Sequence, residues 1–575
     1  MITRMIKKNK LKHKNSFVEP DEIFLDSKNL QNFDRQQFEG RIERPILKKT
    51  IIMLGISFLF FTGIFGTRLV YLQIGKGEVY FNRSQNNMLE KTIIFTDRGI
   101  IYDRNKKELV WNKKEDLGAI VSTEDSISNP PTRAYLSPGF SHLLGYVSYP
   151  SQDKTGNYWQ GEFIGKDGLE KQYNDILKGE NGAKIIETDA FKKIYSENIV
   201  DTPKQGTDLV TTIDARIQGE LFNLIKNLSV DRTFAGGGGV IMDTTNGEII
   251  TTTSFPEYNS EVLSFGKDVS TINNYLTDKR KVFVDKNISG LYTPGSIVKP
   301  FFALGALAEG VIDPYKKILS TGSISIPNPY FKDQKTIFKD WQVNGWTNMM
   351  EAIAVSSDIY FYEIGGGFEN QKGLGITNIE KYAKLFGFGD KTGIDLPDEK
   401  KGIIPSPEWK ASNFKNDSWR IGDTYHTAIG QYGFQVTPME MARAVGAIAN
   451  NGKLLTPHLI LNDTEKENQN TIINLDKEYF DTVHQGMRLA VTAGTAISLN
   501  VPYVQAAAKT GTAQVGLAKN KINSWIIGFF PYDNPKYAFA IMMEAGPSIT
   551  GSGAAASIMR QLLDWMSLNT PEYFQ

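Results

Sequence analysis

Two residues that could act as a nucleophile and its base lie three positions apart, between a turn and a proline. Residues 291–301 read LYTPGSIVKPF and contain Ser296 and Lys299. Residues three positions apart share a face of a helix, so the lysine amine would reach the serine hydroxyl one turn away. The amine must be neutral to take the serine proton, which favours a buried site with a second cation nearby.

The residues around this pair predict where a helix begins. Pro300 lacks an N–H and therefore fits only the first turn, and the apolar run FFALGALAEG that follows predicts a buried helix. Ser296 would then lie at the helix N-terminus, where free backbone N–H groups and the positive end of the dipole stabilise an oxyanion. On this motif alone, a Ser296 that only caps the helix and a solvated Lys299 remain an alternative. We expect Ser296 to be both cap and nucleophile.

The same S-x-x-K spacing occurs at two other places, so the surrounding sequence has to decide between them. Ser151 precedes Lys154 in YPSQDKTGN, and Ser264 precedes Lys267 in LSFGKDVS. We predict that no helix follows either pair, and this favours Ser296.

A second polar group, Ser356-Ser357-Asp358, follows the helix-like segment NMMEAIA. Ser356 could bridge two lysines and relay a proton between them, while Asp358 could position them. A Ser-Asp helix cap explains the same residues equally well when they are taken alone.

The tripeptide K-T-G occurs twice, and the two copies differ in their surroundings. The copy at 391–393 lies in a Gly/Pro-rich stretch, whereas Lys509, Thr510, Gly511 and Thr512 lie in the extended, small-residue segment VQAAAKTGTAQVG. Small residues allow a substrate backbone to lie along an edge strand. We therefore choose the second copy, in which Lys509 supplies a second cation near Lys299 and the two threonines supply hydroxyls for a substrate carboxylate.

Other kinds of site are disfavoured by composition. The chain has no cysteine, which excludes thiol nucleophiles, disulfides and zinc-cysteine sites, and no GxSxG elbow or HExxH motif occurs. A net charge of zero gives no reason to expect nucleic acid as a partner. We expect no metal and no cofactor, because the histidines are far apart in sequence. They are His13, His142, His426, His458 and His484.

The pattern of elements predicts an α+β fold. From Asp208 the sequence predicts a strand and an amphipathic helix, and GGGGVIMDTTNGEIITTTS predicts a hairpin across a Thr-Asn-Gly turn. TPMEMARAVGAIANNG predicts a helix capped by Thr437, with Pro438 in its first turn. The strands SWIIGFF and KYAFAIMME and the helix AAASIMRQLLDWM follow. We expect an antiparallel sheet with helices on both sides.

An apolar, charge-free run near the start of the chain predicts a membrane anchor. It extends from Thr50 to Thr67, and at about 1.5 Å per residue it is ~27 Å long, close to the thickness of the hydrocarbon core of a bilayer. A cluster of lysines and arginines before residue 50 places the N-terminus in the cytoplasm. No small-residue cleavage pattern follows, so the anchor is predicted to be uncleaved.

We predict four segments. Residues 1–49 form a cytoplasmic tail, 50–74 a transmembrane anchor, 75–205 a β-rich pedestal (dimerisation-like) domain, and 206–575 the domain that contains the three motifs. Everything after the anchor would then lie outside the cytoplasmic (inner) membrane, in the periplasm.

The three motifs, in this order, resemble those of the penicillin-binding proteins, and further segments resemble the elongation branch of the class B enzymes. The resemblance extends from about residue 70 to the end of the chain. The segments that carry it are residues 97–105 (DRGIIYDRN), 165–182 (GKDGLEKQYNDILKGENG), 291–301, 339–346 (KDWQVNGW), 352–365 (AIAVSSDIYFYEIG), 385–405, 419–460 and 506–516 (AAAKTGTAQVG).

The resemblance implies a serine-type D-Ala-D-Ala transpeptidase that cross-links peptidoglycan stem peptides during cell elongation. Ser296 would form the acyl-enzyme with Lys299 as base, Ser356 and Asp358 would shuttle protons and orient, and β-lactams would acylate Ser296. Lys509, Thr510 and Thr512 would hold the terminal carboxylate of the substrate. The backbone N–H groups of Ser296 and Thr512 would form the oxyanion hole.

The resemblance also implies partners and leaves alternatives. The pedestal would dock a SEDS-type membrane glycosyltransferase and elongation scaffold proteins. A division-specific class B transpeptidase, a D,D-carboxypeptidase or β-lactamase, and a catalytically silent β-lactam sensor are the alternative functions. Asp358 stands where many relatives have asparagine, and Tyr432 stands where they have glycine, which puts the shape of that loop in question.

Overall fold

A computed structural model describes most of the chain after residue 46. The described residues are 47–86, 89–113, 129–154, 158–188, 194–328, 331, 333–415, 417–461, 469–516 and 520–575. The cytoplasmic tail predicted for residues 1–49 therefore lies almost entirely outside the described residues. The described chain divides after Leu89 into two compact units.

The first unit contains the predicted apolar helix. Helix Lys48–Val70 continues through a π-helical turn at Tyr71–Gly75, and a further helix spans Gly77–Asn86. The apolar side chains of the first helix are exposed along its whole length. By length and composition, Lys48–Gly75 is the one helix of the described residues that could cross a membrane.

Between Leu89 and Val210, which covers most of the predicted pedestal, the described residues form short strands and three short helices. A four-stranded sheet has the order β11-β2-β3-β4, and β1, β9 and β10 form a three-stranded sheet. The helices are Ser141–Leu144, Gly168–Gln172 and Asn174–Leu177. The strands are β1 Leu89–Ile94, β2 Ile101–Tyr102, β3 Glu108–Lys113, β4 Thr132–Tyr135, β5 Val147–Ser148, β6 Ser151–Gln152, β7 Tyr158–Gln160, β8 Ile164–Gly165, β9 Gly182–Thr188, β10 Ile194–Asp201 and β11 Leu209–Val210.

A buried group of three charges holds the pedestal together. The Glu170 carboxylate binds Arg98 Nε at 2.6 Å and Arg133 Nε at 2.8 Å, and all three side chains are 1% exposed or less. Burial would raise the pKa of Glu170, but the charges of Arg133 and Arg98 lower it overall. The charged form of Glu170 is therefore favoured despite its burial, and removal of either arginine would leave a buried charge with less compensation.

The rest of the chain forms one larger α+β arrangement. Its strands are β12 Gly236–Asp243, β13 Ile249–Phe255, β14 Ile318–Ser320, β15 Ser323–Pro327, β16 Lys335–Lys339, β17 Gly345–Thr347, β18 Lys453–Leu454, β19 Thr471–Ile472, β20 Ala507–Val515, β21 Lys521–Phe530 and β22 Tyr537–Pro547. Its α-helices are Ala215–Asp231, Ser260–Phe265, Val269–Thr277, Lys299–Ala308, Met349–Val355, Asp358–Gly366, Gly375–Leu385, Pro407–Asn413, Ile421–Ala428, Pro438–Ala449, Lys477–Ala493 and Ala554–Asn569. Short 3₁₀ helices span Gly295–Val298, Ile497–Leu499 and Pro571–Phe574.

Five antiparallel strands form the central sheet, in the order β13-β12-β22-β21-β20. The predicted hairpin of β12 and β13 is confirmed, and so is the helix Pro438–Ala449, whose Thr437 and Glu440 form a capping box. In this sheet β20 pairs with β21 alone, so it is an edge strand, as its small residues predicted.

Both faces of the sheet are covered, which confirms the predicted fold class. Along β22 the side chains alternate between two hydrophobic clusters: Ala540 and Met542 belong to one, and Phe539 and Ile541 to the other. This is the period of two that a strand imposes when helices cover both of its faces. Helices Ala215–Asp231 and Ala554–Asn569 contribute to the second cluster.

Candidate active site

Ser296 lies in a 3₁₀ turn, and Lys299 begins the α-helix that follows. The turn Gly295–Val298 leads directly into helix Lys299–Ala308, with Pro300 in its first turn as predicted. Ser296 is half-buried, whereas Lys299 is completely buried. The prediction that Ser296 caps the helix is wrong, since neither helix has a side-chain cap. Ser296 lies inside the turn and not before it, so its hydroxyl is not at the capping position.

Lys299 contacts the second motif and not a solvated surface. Its Nζ donates to Asp358 Oδ1 at 2.6 Å, to the Ser356 carbonyl at 2.8 Å and to Ser356 Oγ at 3.4 Å. The ring of Phe361 lies below it, with the centroid 5.4 Å from Nζ. These acceptors fix the position of the Lys299 amine, which is buried away from water.

Lys509 reaches the same serine from the edge strand. Its Nζ donates to Ser356 Oγ at 2.8 Å and to the Thr510 carbonyl at 2.9 Å. Burial, and then the charge of Lys299, hold the pKa of Lys509 well below its ordinary value. The Ser356 hydroxyl therefore lies between two buried amines, which is the arrangement that a proton relay needs.

A sharp turn of the backbone presents Ser356 and Asp358. Helix Met349–Val355 ends at Ser356, which has a left-handed conformation with φ 59°. Ser357 caps the next helix, Asp358–Gly366, by accepting from the Tyr360 N–H. The sequence left a helix cap and a relay as alternatives. In the structure Ser357 caps the helix, and Ser356 and Asp358 contact Lys299, so the cap and the contacts that a relay would use occur in the same turn.

The remaining residues of the third motif lie on β20 beside the Ser296 turn. Thr510 Oγ1 donates to Thr495 Oγ1 at 2.7 Å, and the Thr512 side chain is exposed. Gly511 allows close packing, since a Cβ at this position would lie 2.8 Å from the Pro294 carbonyl oxygen. The three sequence motifs thus meet at one place, although they lie far apart in the chain.

The other copies of these motifs have structural contacts of their own. The Ser264 hydroxyl is buried and lies 3.5 Å from Tyr135 Oη, and Thr392 binds the Glu399 carboxylate. One detail of the prediction is wrong, because helix Val269–Thr277 does follow Ser264. Its N-cap is Asp268, whose side chain accepts from the Thr271 N–H and is a short-range signal for the start of a helix.

Two residues near the site were not predicted. Thr495 meets Thr510, and Asp340 accepts hydrogen bonds from the turn that presents Asp358. Both lie in segments whose types and spacing carry no catalytic motif, so only the folded chain shows that they are close. Asp340 lies between two β-strands in residues 339–346, one of the segments that carry the family resemblance, but no motif assigns it a role.

Tyr432 occupies the turn that follows helix Ile421–Ala428, with a left-handed φ of 60°. Its ring lies among Trp409, Phe414 and Trp419, with ring centroids 5.7–6.4 Å apart. The neighbouring Gly430 carbonyl accepts the Gly295 N–H at 2.9 Å, next to Ser296. The aromatic contacts offset the unfavourable conformation that a tyrosine has in place of glycine.

Comparison with known families identifies this arrangement. The family profile of the penicillin binding protein transpeptidase domain matches residues 237–564, more than half of the chain. The chain belongs to this family. A second profile, the penicillin-binding protein dimerisation domain, matches residues 124–211, which overlap the predicted pedestal.

Several members of the family are similar over most of their length. The peptidoglycan D,D-transpeptidase MrdA of Acinetobacter baumannii is 31% identical, across 75% of this chain and 65% of that protein. MrdA of Haemophilus influenzae is 27% identical, across 92% of this chain and 93% of that protein. A Helicobacter pylori structure, a complex between penicillin-binding protein 2 and MreC, is 27% identical with a TM-score of 0.67, covering 84% of this chain and 99% of that one.

Proposed function

We propose that this protein is a peptidoglycan D,D-transpeptidase that works through an acyl-enzyme on Ser296. The observation that carries the proposal is the Ser356 hydroxyl, which lies between the amines of Lys299 and Lys509, with Lys299 one turn after the half-buried Ser296. Family membership and the names of the relatives support the same reaction class.

The chemistry follows from the positions of these groups. The Ser296 oxygen attacks the carbonyl carbon of the penultimate D-Ala, and its proton passes to Lys299, which first gives one of its own protons through the Ser356 hydroxyl to the neutral amine of Lys509. The C–N bond to the terminal D-Ala breaks, and the departing amine takes a proton through the Ser356 and lysine relay. An amine of a second stem peptide, on a neighbouring peptidoglycan strand, then attacks the ester and forms the cross-link. Its proton returns through the relay to the Ser296 oxygen.

The edge of β20 is the proposed binding surface for the stem peptide. Its outer edge has no partner strand among the described residues, so a substrate backbone can pair with it. Thr510 and Thr512 offer hydroxyls to the terminal carboxylate, and Lys509 adds charge. The backbone N–H groups of Ser296 and Thr512 are the proposed oxyanion donors.

Water can replace the acceptor amine in the second step. The same acyl-enzyme would then give D,D-carboxypeptidase activity as a side reaction, with no change to the first step. β-Lactams carry a strained amide that resembles the D-Ala-D-Ala bond, so we expect them to acylate Ser296 and to remain bound as a stable ester.

In the cell, the proposed role is elongation at the cytoplasmic membrane. Lys48–Gly75 would anchor the chain as a single pass, with the N-terminus inside and the catalytic domain in the periplasm. The relatives named MrdA and the MreC complex of the Helicobacter pylori protein support a scaffold partner. A SEDS-type glycosyltransferase partner is proposed from the family resemblance alone.

A labelling experiment tests the reaction. The purified protein, incubated with a fluorescent penicillin and then digested, should give one labelled peptide that contains Ser296. Ser296→Ala should abolish the label, because it removes the proposed nucleophile while Lys299, Ser356 and Lys509 remain in place. Label on another residue, or no label on the wild-type protein, would overturn the proposal.

The second copies of the motifs provide matched controls. Ser264→Ala changes an S-x-x-K serine that is buried against Tyr135 and distant from the third motif in the chain. This variant should retain the label on Ser296. The comparison separates loss of the nucleophile from a general effect of removing a serine hydroxyl.

A further inference from the structure

Asp340 concentrates an unusual number of hydrogen bonds on one carboxylate. Its Oδ1 accepts from the Asp358 N–H at 3.0 Å, and its Oδ2 accepts from Ser357 Oγ at 2.8 Å and from the Ile359 N–H at 3.3 Å. Three consecutive residues, Ser357 and Asp358 of the second motif and the following Ile359, therefore donate to this one side chain, which comes from the segment between β16 and β17.

The carboxylate is also fixed from the opposite side. Ser320 Oγ, at the end of β14, donates to Oδ2 at 2.9 Å, and Asn344 Nδ2 donates to the same oxygen at 3.0 Å. The next residue, Trp341, donates its indole N–H to the Val355 carbonyl at 3.1 Å. These contacts join the segment between β16 and β17 to the turn at two points, just before and just after Ser356.

The turn held in this way carries the contacts of the lysine pair. Asp358 lies 2.6 Å from Lys299, and Ser356 lies 2.8 Å from Lys509. A small displacement of the turn would change both distances together. Asp340 makes no direct contact with either amine, so it acts on the relay through the turn.

We propose that Asp340 is a positioning residue for acylation: it holds the Ser356–Asp358 turn at the distance at which Ser356 and Asp358 contact both lysines. This inference rests on the proposed function and adds a residue that none of the three motifs contains. Because a displacement of about 1 Å can cost ~100-fold in rate, we expect the role to be visible in acylation kinetics.

The charge of Asp340 adds a second consequence. Burial would raise its pKa, but the Asp358 N–H, the Ser357 hydroxyl and the charge of Lys299 lower it overall. The charged or titratable groups that face it are Lys299, Asp358 and Tyr362, whose phenol donates to the Lys339 carbonyl at 3.3 Å. Asp340→Asn removes a negative charge that interacts with the cation of Lys299, so we expect the rising limb of the acylation profile to move to lower pH.

The test compares Asp340→Asn with the wild-type protein in the rate of acylation by a fluorescent penicillin across pH. Asparagine keeps the shape but cannot accept all of these hydrogen bonds, so we expect the second-order rate constant to fall about 10- to 100-fold. The rising limb of the pH profile should move to lower pH. Ser357→Ala, which removes one of the contacts, should lower the rate less. Its effect should be smaller still when it is added to Asp340→Asn, since the two share one interaction.

Asp214→Asn is the matched control. Asp214 is also buried and caps a helix, by accepting from the Arg216 N–H, but it lies outside the three motifs. It should lower the melting temperature without moving the pH profile.

Each remaining outcome decides the inference. An Asp340→Asn protein that is labelled at the wild-type rate with the wild-type profile would overturn it. If Asp340→Asn does not fold, the Ser357 variants decide instead. A wild-type acylation rate for Ser357→Ala overturns the inference. A lowered rate for Ser357→Ala that Ser357→Thr restores supports the inference. A wild-type protein without label contradicts the proposed function and not this inference alone.

Discussion

At the scale of single residues, Lys509 shows how burial prepares a site for proton transfer. Desolvation disfavours the charged amine, and the positive charge of Lys299 disfavours it further, so its pKa lies well below 10.5. The nearby Asp358 charge opposes this shift only in part. One of the two amines is thus prepared to be neutral while the other has an ion-pair partner.

This arrangement has a cost in stability that depends on pH. In the unfolded chain Lys509 holds its proton up to about pH 10.5, whereas in the folded protein it releases the proton at a lower pH. The penalty is therefore complete below the folded pKa, shrinks as the pH rises towards 10.5, and disappears above that value.

We expect Lys509→Met to stabilise the fold at neutral pH while it lowers penicillin labelling. The gain in melting temperature should shrink as the pH is raised from 7 towards about 10.5, since the wild-type penalty disappears there. Thermal unfolding at several pH values measures this. Lys226→Met, at an exposed position, should give a difference that is constant with pH. A constant difference for Lys509→Met would contradict the expected coupling.

At the scale of elements, the site depends on how closely β20 approaches the Ser296 turn. Gly511 faces Pro294 and Ile297, and Gly295, at φ 62°, faces the Thr512 carbonyl. Neither position has room for a side chain at the present separation. Gly511 therefore allows β20 to pack closely against the turn that contains Ser296.

Gly511→Ala should separate these two elements. The added methyl would lie 2.8 Å from the Pro294 carbonyl oxygen, so we expect a loss of about 1–3 kcal/mol in the free energy of unfolding and a lower acylation rate. Gly219→Ala is a control of opposite sign, because no heavy atom lies within 4 Å of the new Cβ. In its helix it should stabilise by about 0.5–1 kcal/mol. Equal effects of the two variants in denaturant unfolding would contradict the packing argument.

The elements that the sequence predicted well have short-range signals. The β12–β13 hairpin has its Asn-Gly turn, and helix Pro438–Ala449 has a capping box made by Thr437 and Glu440, three positions apart. The helix after Ser264 was missed, and the hairpins between β14 and β17 were not predicted. Their strands are three to five residues long and alternate only weakly, so pattern alone does not define them.

At the scale of the whole molecule, one chain combines an apolar helix, a region that matches the dimerisation-domain profile and a region that matches the transpeptidase profile. The pedestal depends on Arg98, Arg133 and Glu170, which come from three separate segments and are buried together. Removing one partner of such a group leaves an uncompensated charge. These three residues therefore have a structural role in the pedestal, which contains none of the three motifs.

The proposed role in elongation predicts a cell-shape phenotype. Depleting the protein in its host should give round cells, since lateral wall synthesis would stop while division continued. Microscopy after depletion measures this, with a plasmid copy of the wild-type gene as the positive control and Ser296→Ala as the negative one. Long filaments after depletion would instead indicate a division enzyme.

The sequence by itself determined which residues could do the proposed chemistry and much of the local structure. Ser296, Lys299, Ser356, Asp358 and Lys509 were found from residue type, spacing and the turns around them, because a helix turn and an edge strand leave short-range signals. Only the tertiary structure decided how they meet. It places Ser356 between two lysines, Asp340 behind the turn and Gly511 against Pro294, since these contacts join segments whose distance in the chain is unrelated to their distance in space.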